Sequence, residues 1–260
     1  MITVLTLRGT GEPIAGPANM LTNVTRLLDP AKYVIGPDIP YPASLGPANP
    51  QQDPLGCSEQ QSIAEGVDLL ASAIRNSPDV VGLLGYSLGA EVVSAFLERK
   101  AAGEFGDCEV AWVGLLANPR RAEGDSIDPN PQGYGINGQH GPWPDGLQVW
   151  EAANPADAIT SCPPDSPLRA LADTVSAFSF AALGGWTADL ADKLRQNRFQ
   201  PANFGWWLHP LATWQLYSTA ATQMLGYLSG QTHIRDYIAG GYCQRLAEHI
   251  NTTCDAWPGN

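Results

Sequence analysis

Ser87 sits in the pentapeptide Gly85-Tyr86-Ser87-Leu88-Gly89, where glycines flank a serine able to act as a nucleophile at a sharp turn. A serine hydroxyl is weakly nucleophilic at neutral pH, so this chemistry needs a general base and a third group that orients the base. On a strand-turn-helix of this kind the partners follow in the order serine, acid, histidine. Four histidines are present, His140, His209, His233 and His249, and only the last three follow a usable acid. His249 falls deep in a C-terminal helix, where a surface position is the simpler reading, and His209 precedes Pro210 inside an aromatic segment. His233, in Gln231-Thr232-His233-Ile234-Arg235-Asp236-Tyr237, falls in a short polar loop before the last helix and is the favoured base. Asp157, in Asn154-Pro155-Ala156-Asp157, follows an apolar strand and is the favoured acid, ahead of Asp145 and Asp165.

A tetrahedral intermediate needs two donors aimed at its oxyanion. The backbone N–H of Leu88, directly after the nucleophile, supplies the first. The loop Arg8-Gly9-Thr10-Gly11-Glu12-Pro13 follows the first apolar run, and its glycines allow close backbone approach, so Thr10 is the expected second. Such a constellation requires neither cofactor nor metal, and no CxxC pair occurs.

The elements that must position these groups are legible as periodicity. Strand-like runs at residues 2–7, 33–36, 80–84, 110–116 and 147–152 alternate with helix-like segments, which predicts a parallel sheet with crossovers, and several runs are apolar at consecutive positions, as in strands covered on both faces. Ser58 followed by Gln61 predicts a capping box opening a helix that runs to about Asn76. A second helix follows Ser87. The pattern is that of an α/β class domain, an α/β-hydrolase sheet spanning residues 1–260. Beyond Asn118 a Gly/Pro/Asn-rich stretch runs to Gly146, longer than most connections in compact domains. A helical insertion or cap is expected over 165–230, between acid and histidine. Residues 199–234 of it carry no Asp, Glu, Lys or Arg, and Trp186, Trp206, Trp207 and Trp214 gather half of the chain's eight tryptophans there. Pro210 and the Gln and Thr content argue against a membrane span. This segment reads as a buried helix pair or as an apolar wall for long acyl chains.

Composition narrows the partners. The 260 residues are 44% hydrophobic and 15% charged, enough apolar content for one large core. A formal net charge of −12 repels phosphate backbones and anionic headgroups, which excludes nucleic acid and favours a neutral or apolar substrate. Met1–Thr10 lacks a basic n-region and reads as a first strand rather than a signal peptide. Five cysteines leave at least one unpaired; Cys243 with Cys254, or Cys57 with Cys108, could bridge in an oxidising compartment.

Arg8-Gly9-Thr10-Gly11-Glu12-Pro13 resembles the cutinase oxyanion loop and Gly85-Tyr86-Ser87-Leu88-Gly89 the cutinase elbow. Ala117-Asn118-Pro119-Arg120-Arg121 and the helical insertion before His233 are similar to the mycobacteriophage lysin B family, a cutinase core with an added cap. Leu88 departs from the Gln often found after the nucleophile there, which leaves the backbone donor intact. The resemblance implies a monomeric, cofactor-free lipolytic esterase with Ser87, Asp157 and His233 as triad and Thr10 and Leu88 as oxyanion donors. Its substrate would be the ester between mycolic acid and cell-wall arabinogalactan. The product would be phage-encoded, made in the host cytoplasm without a signal peptide, and active at the host envelope during lysis. A general cutinase-like carboxylesterase is the alternative.

Overall fold

The computed structural model of the chain describes residues 1–129, 131–169 and 210–253. At its centre β1 (Ile2–Leu7), β2 (Tyr33–Asp38), β3 (Val81–Tyr86), β4 (Val110–Leu116) and β5 (Gln148–Ala152) form a parallel sheet in the order β2-β1-β3-β4-β5. All five expected strands are present, with small shifts of boundary. The instructive shift is at β3, where the ladder pairs Tyr86 with Leu116 and so carries the strand up to the residue before Ser87.

Every residue of β3 and β4 is buried, which explains why these runs show no polar alternation. Leu5, Leu7, Leu83 and Leu115 pack on one face against Val67 and Leu70 of α2 (Glu59–Asn76) and Val92 and Phe96 of α3 (Leu88–Ala101). Val4, Leu84, Trp112 and Leu116 pack on the other against Val24 of α1 (Thr22–Thr25) and Leu246 and Ile250 of α6 (Tyr242–Thr253). The two apolar faces of each strand thus build two cores, one above and one below the sheet. The α2 start is the expected capping box: Gln61 N–H donates to Ser58 Oγ at 3.3 Å and Ser58 N–H donates to Gln61 Oε1 at 3.1 Å.

Of the expected 165–230 insertion, α4 (Pro210–Leu228) is a helix, and its Ala220, Ala221 and Met224 close a third apolar cluster with Ile136, Ile159, Cys162 and Leu168. Residues 170–209, with Trp186, Trp206, Trp207 and His209, lie outside the described residues. Among the described residues no helix is long and apolar enough to cross a membrane. Cys57 and Cys108 are free thiols, so that candidate bridge does not form; Cys243 is also free and Cys254 lies outside the described residues.

Strand order locates the crevice. The chain leaves β1 for β2 on one side and returns to β3 on the other, so the loops after β1 and β3 part at the C-terminal edge of the sheet. There the backbone of α3 presses on the end of β1: a Cβ built on Gly89 would lie 1.9 Å from the Leu7 carbonyl oxygen, a backbone atom that cannot move without disturbing the sheet. Gly89→Ala is therefore expected to cost on the order of 3 kcal/mol, about 6–12 °C in Tm, measurable by thermal denaturation.

Candidate active site

Ser87 is the single residue between β3 and α3, with φ 53° and ψ −120°. A positive φ is costly for a residue bearing a Cβ and persists only where the surroundings fix it. Here Ser87 N–H donates to Leu116 O at 2.9 Å and Ser87 O accepts from Glu91 N–H at 3.1 Å, tying the turn to β4 and to the first turn of α3. The whole of β3 before it and residues 88–94 after it are buried, yet Ser87 itself is partly exposed. The strained turn lifts one hydroxyl out of a buried run.

The structure brings the favoured histidine and aspartate to that hydroxyl. His233 Nε2 lies 2.9 Å from Ser87 Oγ, and His233 Nδ1 lies 2.7 Å from Asp157 Oδ2. Asp157 is fully buried and follows β5; its Oδ1 accepts from Ile159 N–H at 3.1 Å and its Oδ2 also accepts from Tyr237 O–H at 3.1 Å. With the carboxylate on Nδ1, the N–H is placed there and the Nε2 lone pair faces the hydroxyl. His233 does not sit in the expected polar loop. Residues Gln231–Arg235 form a π-helical turn, closed by Arg235 N–H to Gly230 O at 3.0 Å and running straight into α5 (Asp236–Ala239). The wider turn leaves carbonyls for side chains: Thr232 O accepts from Asn154 Nδ2 at 2.8 Å and His233 O from Tyr86 O–H at 2.7 Å. Tyr86 also stacks on the imidazole, with ring centroids 5.3 Å apart.

Thr10 and Leu88, the expected oxyanion residues, line one open cleft with Ser87; its volume is about 430 Å³ including the mouth. Its walls are largely apolar, from Leu45, Pro119, Ile136, Ile159 and Tyr227, with Glu59 and Asn137 as polar members. Leu88 is the first residue of α3, where backbone N–H groups lack intrahelical partners and the helix dipole favours negative charge. The Thr10 loop is held from beneath. Arg8 is buried, ion-paired to Asp38 at 2.9 Å, and donates to the carbonyls of Glu12, Ile39 and Tyr41. Glu12 in turn accepts from Gly9 N–H at 2.8 Å and Met20 N–H at 3.0 Å. Gly9 carries no side chain because a Cβ there would lie 2.7 Å from the Tyr86 ring.

The other candidates fall elsewhere. Asp145, Asp165 and His249 are exposed, His140 pairs with Asp125, and His209 lies outside the described residues. Sequence reasoning missed four groups around the site. Tyr86 and Tyr237 position His233 and Asp157, Tyr227 packs its ring 5.2 Å from His233, and a carboxylate pair stands beside Ser87. In that pair Asn137 Nδ2 donates to Glu59 Oε1 at 3.1 Å and to Glu91 Oε2 at 3.0 Å. Burial first, and the neighbouring Glu59 carboxylate second, push Glu91 up to about 8. A Glu one helical turn after the nucleophile, in an otherwise apolar helix start, was the available signal.

Comparison with known proteins bears on the fold. The PE-PPE domain family matches residues 35–124. No curated protein sequence matches the chain. Among solved structures the chain is similar to lysin B from Mycobacteriophage D29, with 20% identity, a TM-score of 0.52 and coverage of 94% of this chain and 98% of that one. It is also similar to the catalytic core domain of acetyl xylan esterase from Trichoderma reesei, at 19% identity, TM-score 0.47 and coverage of 71% and 94%. A cutinase-like protein from Cryptococcus sp. matches at 16% identity and TM-score 0.40 over 90% and 95% of the two chains. The fold is of the α/β class, a five-stranded parallel sheet with helices on both faces, and it is shared with the lysin B structure.

Glu91 gives the fold a pH dependence. Its folded-state value near 8 stands above its ordinary 4.5, so between those values the native state holds a proton the unfolded chain has lost. Stability is then full below about pH 4.5 and is lost as pH rises through about 8. Glu91→Gln keeps an acceptor for Asn137 and removes the charge. Its Tm relative to the unsubstituted protein is expected to rise by roughly 5 °C or more between pH 5 and pH 9, in parallel thermal melts.

Proposed function

We propose that the chain is a serine esterase in which Ser87 is the nucleophile, His233 the general base and acid, and Asp157 the group that orients and stabilises the imidazole. The single observation that carries this reading is the continuous hydrogen-bonded line from Ser87 Oγ through His233 to the buried Asp157, opening on a cleft. As Oγ attacks an ester carbonyl, His233 Nε2 takes its proton, and the imidazolium that forms lies against the Asp157 carboxylate. The developing oxyanion is met by the backbone N–H groups of Thr10 and Leu88. Return of the proton from His233 expels the alcohol and leaves the acyl group on Ser87. Water, deprotonated by the same nitrogen, then releases the acid.

Within that class we propose a lysin B-like substrate, the ester joining mycolic acid to cell-wall arabinogalactan, with action at the envelope of the host. The likeness to Mycobacteriophage D29 lysin B over nearly the whole of both chains supports it, as do the apolar cleft walls and the uncharged run 199–234. The net charge of −12 suits a neutral lipid ester better than an anionic one.

Purified mycolyl-arabinogalactan and p-nitrophenyl esters of increasing chain length, assayed side by side, test both levels. Free mycolic acid and nitrophenol are expected, with Ser87→Ala lowering kcat by about 10⁶-fold on each. Cleavage of nitrophenyl esters without mycolic acid release would leave a general cutinase-like carboxylesterase. Undiminished activity in Ser87→Ala would remove the nucleophile assignment.

A further inference from the structure

The long Gly/Pro/Asn-rich stretch after Asn118 lends Pro119, Ile136 and Asn137 to the wall of the Ser87 cleft, and it also brings two possible metal ligands to the end of β5. Asp125, His140 and Glu151 each offer one ligand atom within 4.8 Å of the others, and none of the three lines the Ser87 cleft. Asp125 and Glu151 line a separate surface cleft of about 760 Å³, bounded by Trp143, Leu147 and Trp150, which gives an ion a path from solvent.

Two features of this cluster fit a bound cation. The first is Glu151, only 4% exposed, whose Oε1 accepts from Asn118 Nδ2 at 2.6 Å while its Oε2 is buried with no hydrogen-bond partner among the described residues. A buried carboxylate oxygen left unpaired is costly. The nearby cation Arg121 attracts Glu151 by charge but gives it no hydrogen bond, because its N–H groups go to the carbonyls of Thr160, Ala122, Asp125 and Gly133. The second is the donor and acceptor account at His140. Nδ1 lies 2.7 Å from Gly141 O and Nε2 lies 3.1 Å from Asp125 Oδ2, so both ring nitrogens face acceptors. With the N–H on the Gly141 carbonyl, the Nε2 lone pair is turned toward Asp125, where the two can share a cation; an imidazolium would meet both acceptors without one. A backbone carbonyl on the far ring nitrogen is the arrangement that metal-ligating histidines adopt. Trp143, stacked on the ring at a centroid distance of 3.5 Å, holds it in place.

We infer that Asp125, His140 and Glu151 form a binding site for a divalent transition-metal ion of the Zn²⁺ class, which fastens residues 122–147 to β5. One imidazole with two carboxylates suits Zn²⁺ or Mn²⁺, and thiolate-seeking ions find no sulfur here. The 3.1 Å between His140 Nε2 and Asp125 Oδ2 is close to the edge of about 3.3 Å expected between two ligands of tetrahedral Zn²⁺. Glu151 offers its ligand atom within 4.8 Å of the other two, and the half-exposed Asp125 side chain has room to adjust. Asn118, already bonded to Glu151, then becomes the outer partner that orients a ligand.

The test is calorimetric titration of the chelator-treated full chain with Zn²⁺, beside His140→Ala, Asp125→Asn and Glu151→Gln, with His233→Ala to report binding at the active site. The expected result is one site per chain, retained in His233→Ala and weakened at least about 10-fold by His140→Ala and by Asp125→Asn. Zinc X-ray absorption of the loaded protein should show one imidazole and carboxylate oxygens. His140 and Asp125 lie on an irregular segment, so their variants decide the matter even if Glu151→Gln fails to fold. No saturable binding up to 1 mM (about the weakest site worth the name), binding indifferent to His140→Ala, or binding lost in His233→Ala would each overturn the inference.

Discussion

A carboxylate completely removed from solvent at the end of β5 is the constraint around which this half of the molecule is arranged. Burying Asp157 costs several kcal/mol unless its oxygens are met by donors. Three are supplied, from the Ile159 backbone, the Tyr237 hydroxyl and the His233 ring. Each donor fixes a further piece of structure. Ile159 belongs to the turn after β5, Tyr237 to α5, and His233 to the π-helical turn that joins α4 to α5. The imidazole cannot leave without uncovering a buried acceptor, and for that reason it stays presented to Ser87.

The opposite wall follows the same logic with a different pair. Arg8 and Asp38, both almost wholly buried, join the loop after β1 to the end of β2, and Glu12 draws the backbone of Gly9 and Met20 around it. Thr10 therefore sits on a turn held from within by the hydrogen bonds of Arg8 and Glu12. Tyr86 links the walls: its ring fills the space left by Gly9, and its hydroxyl reaches the His233 carbonyl. Tyr86 thereby ties the loop after β1 to the turn that carries His233.

Local pattern was enough for the elements that carry chemistry. Ser58 and Gln61 announced a helix start that the structure forms in both its hydrogen bonds, and consecutive apolar residues announced strands covered on both faces. The five-stranded sheet and the positions of Ser87, Asp157 and His233 at its C-terminal edge were readable because each follows or precedes a strongly patterned segment. What was not readable depends on long-range pairing. Tyr237 meets Asp157 across 80 positions and Asn137 meets Glu91 across 46, and neither residue type announces a partner that far away. The polar side chains around His233 suit a loop, whereas the turn is π-helical and is held by Asn154 and Tyr86, which lie far off in sequence.

The central claim is that Ser87 is a nucleophile activated by His233. Reaction with a fluorophosphonate ester, followed by peptide mass spectrometry, tests it most directly, because only an activated serine displaces fluoride from such a reagent at neutral pH. One adduct per chain is expected, on the peptide carrying Ser87, with its loss in His233→Ala. An adduct on another residue, or labelling of Ser87 at an equal rate without His233, would contradict it.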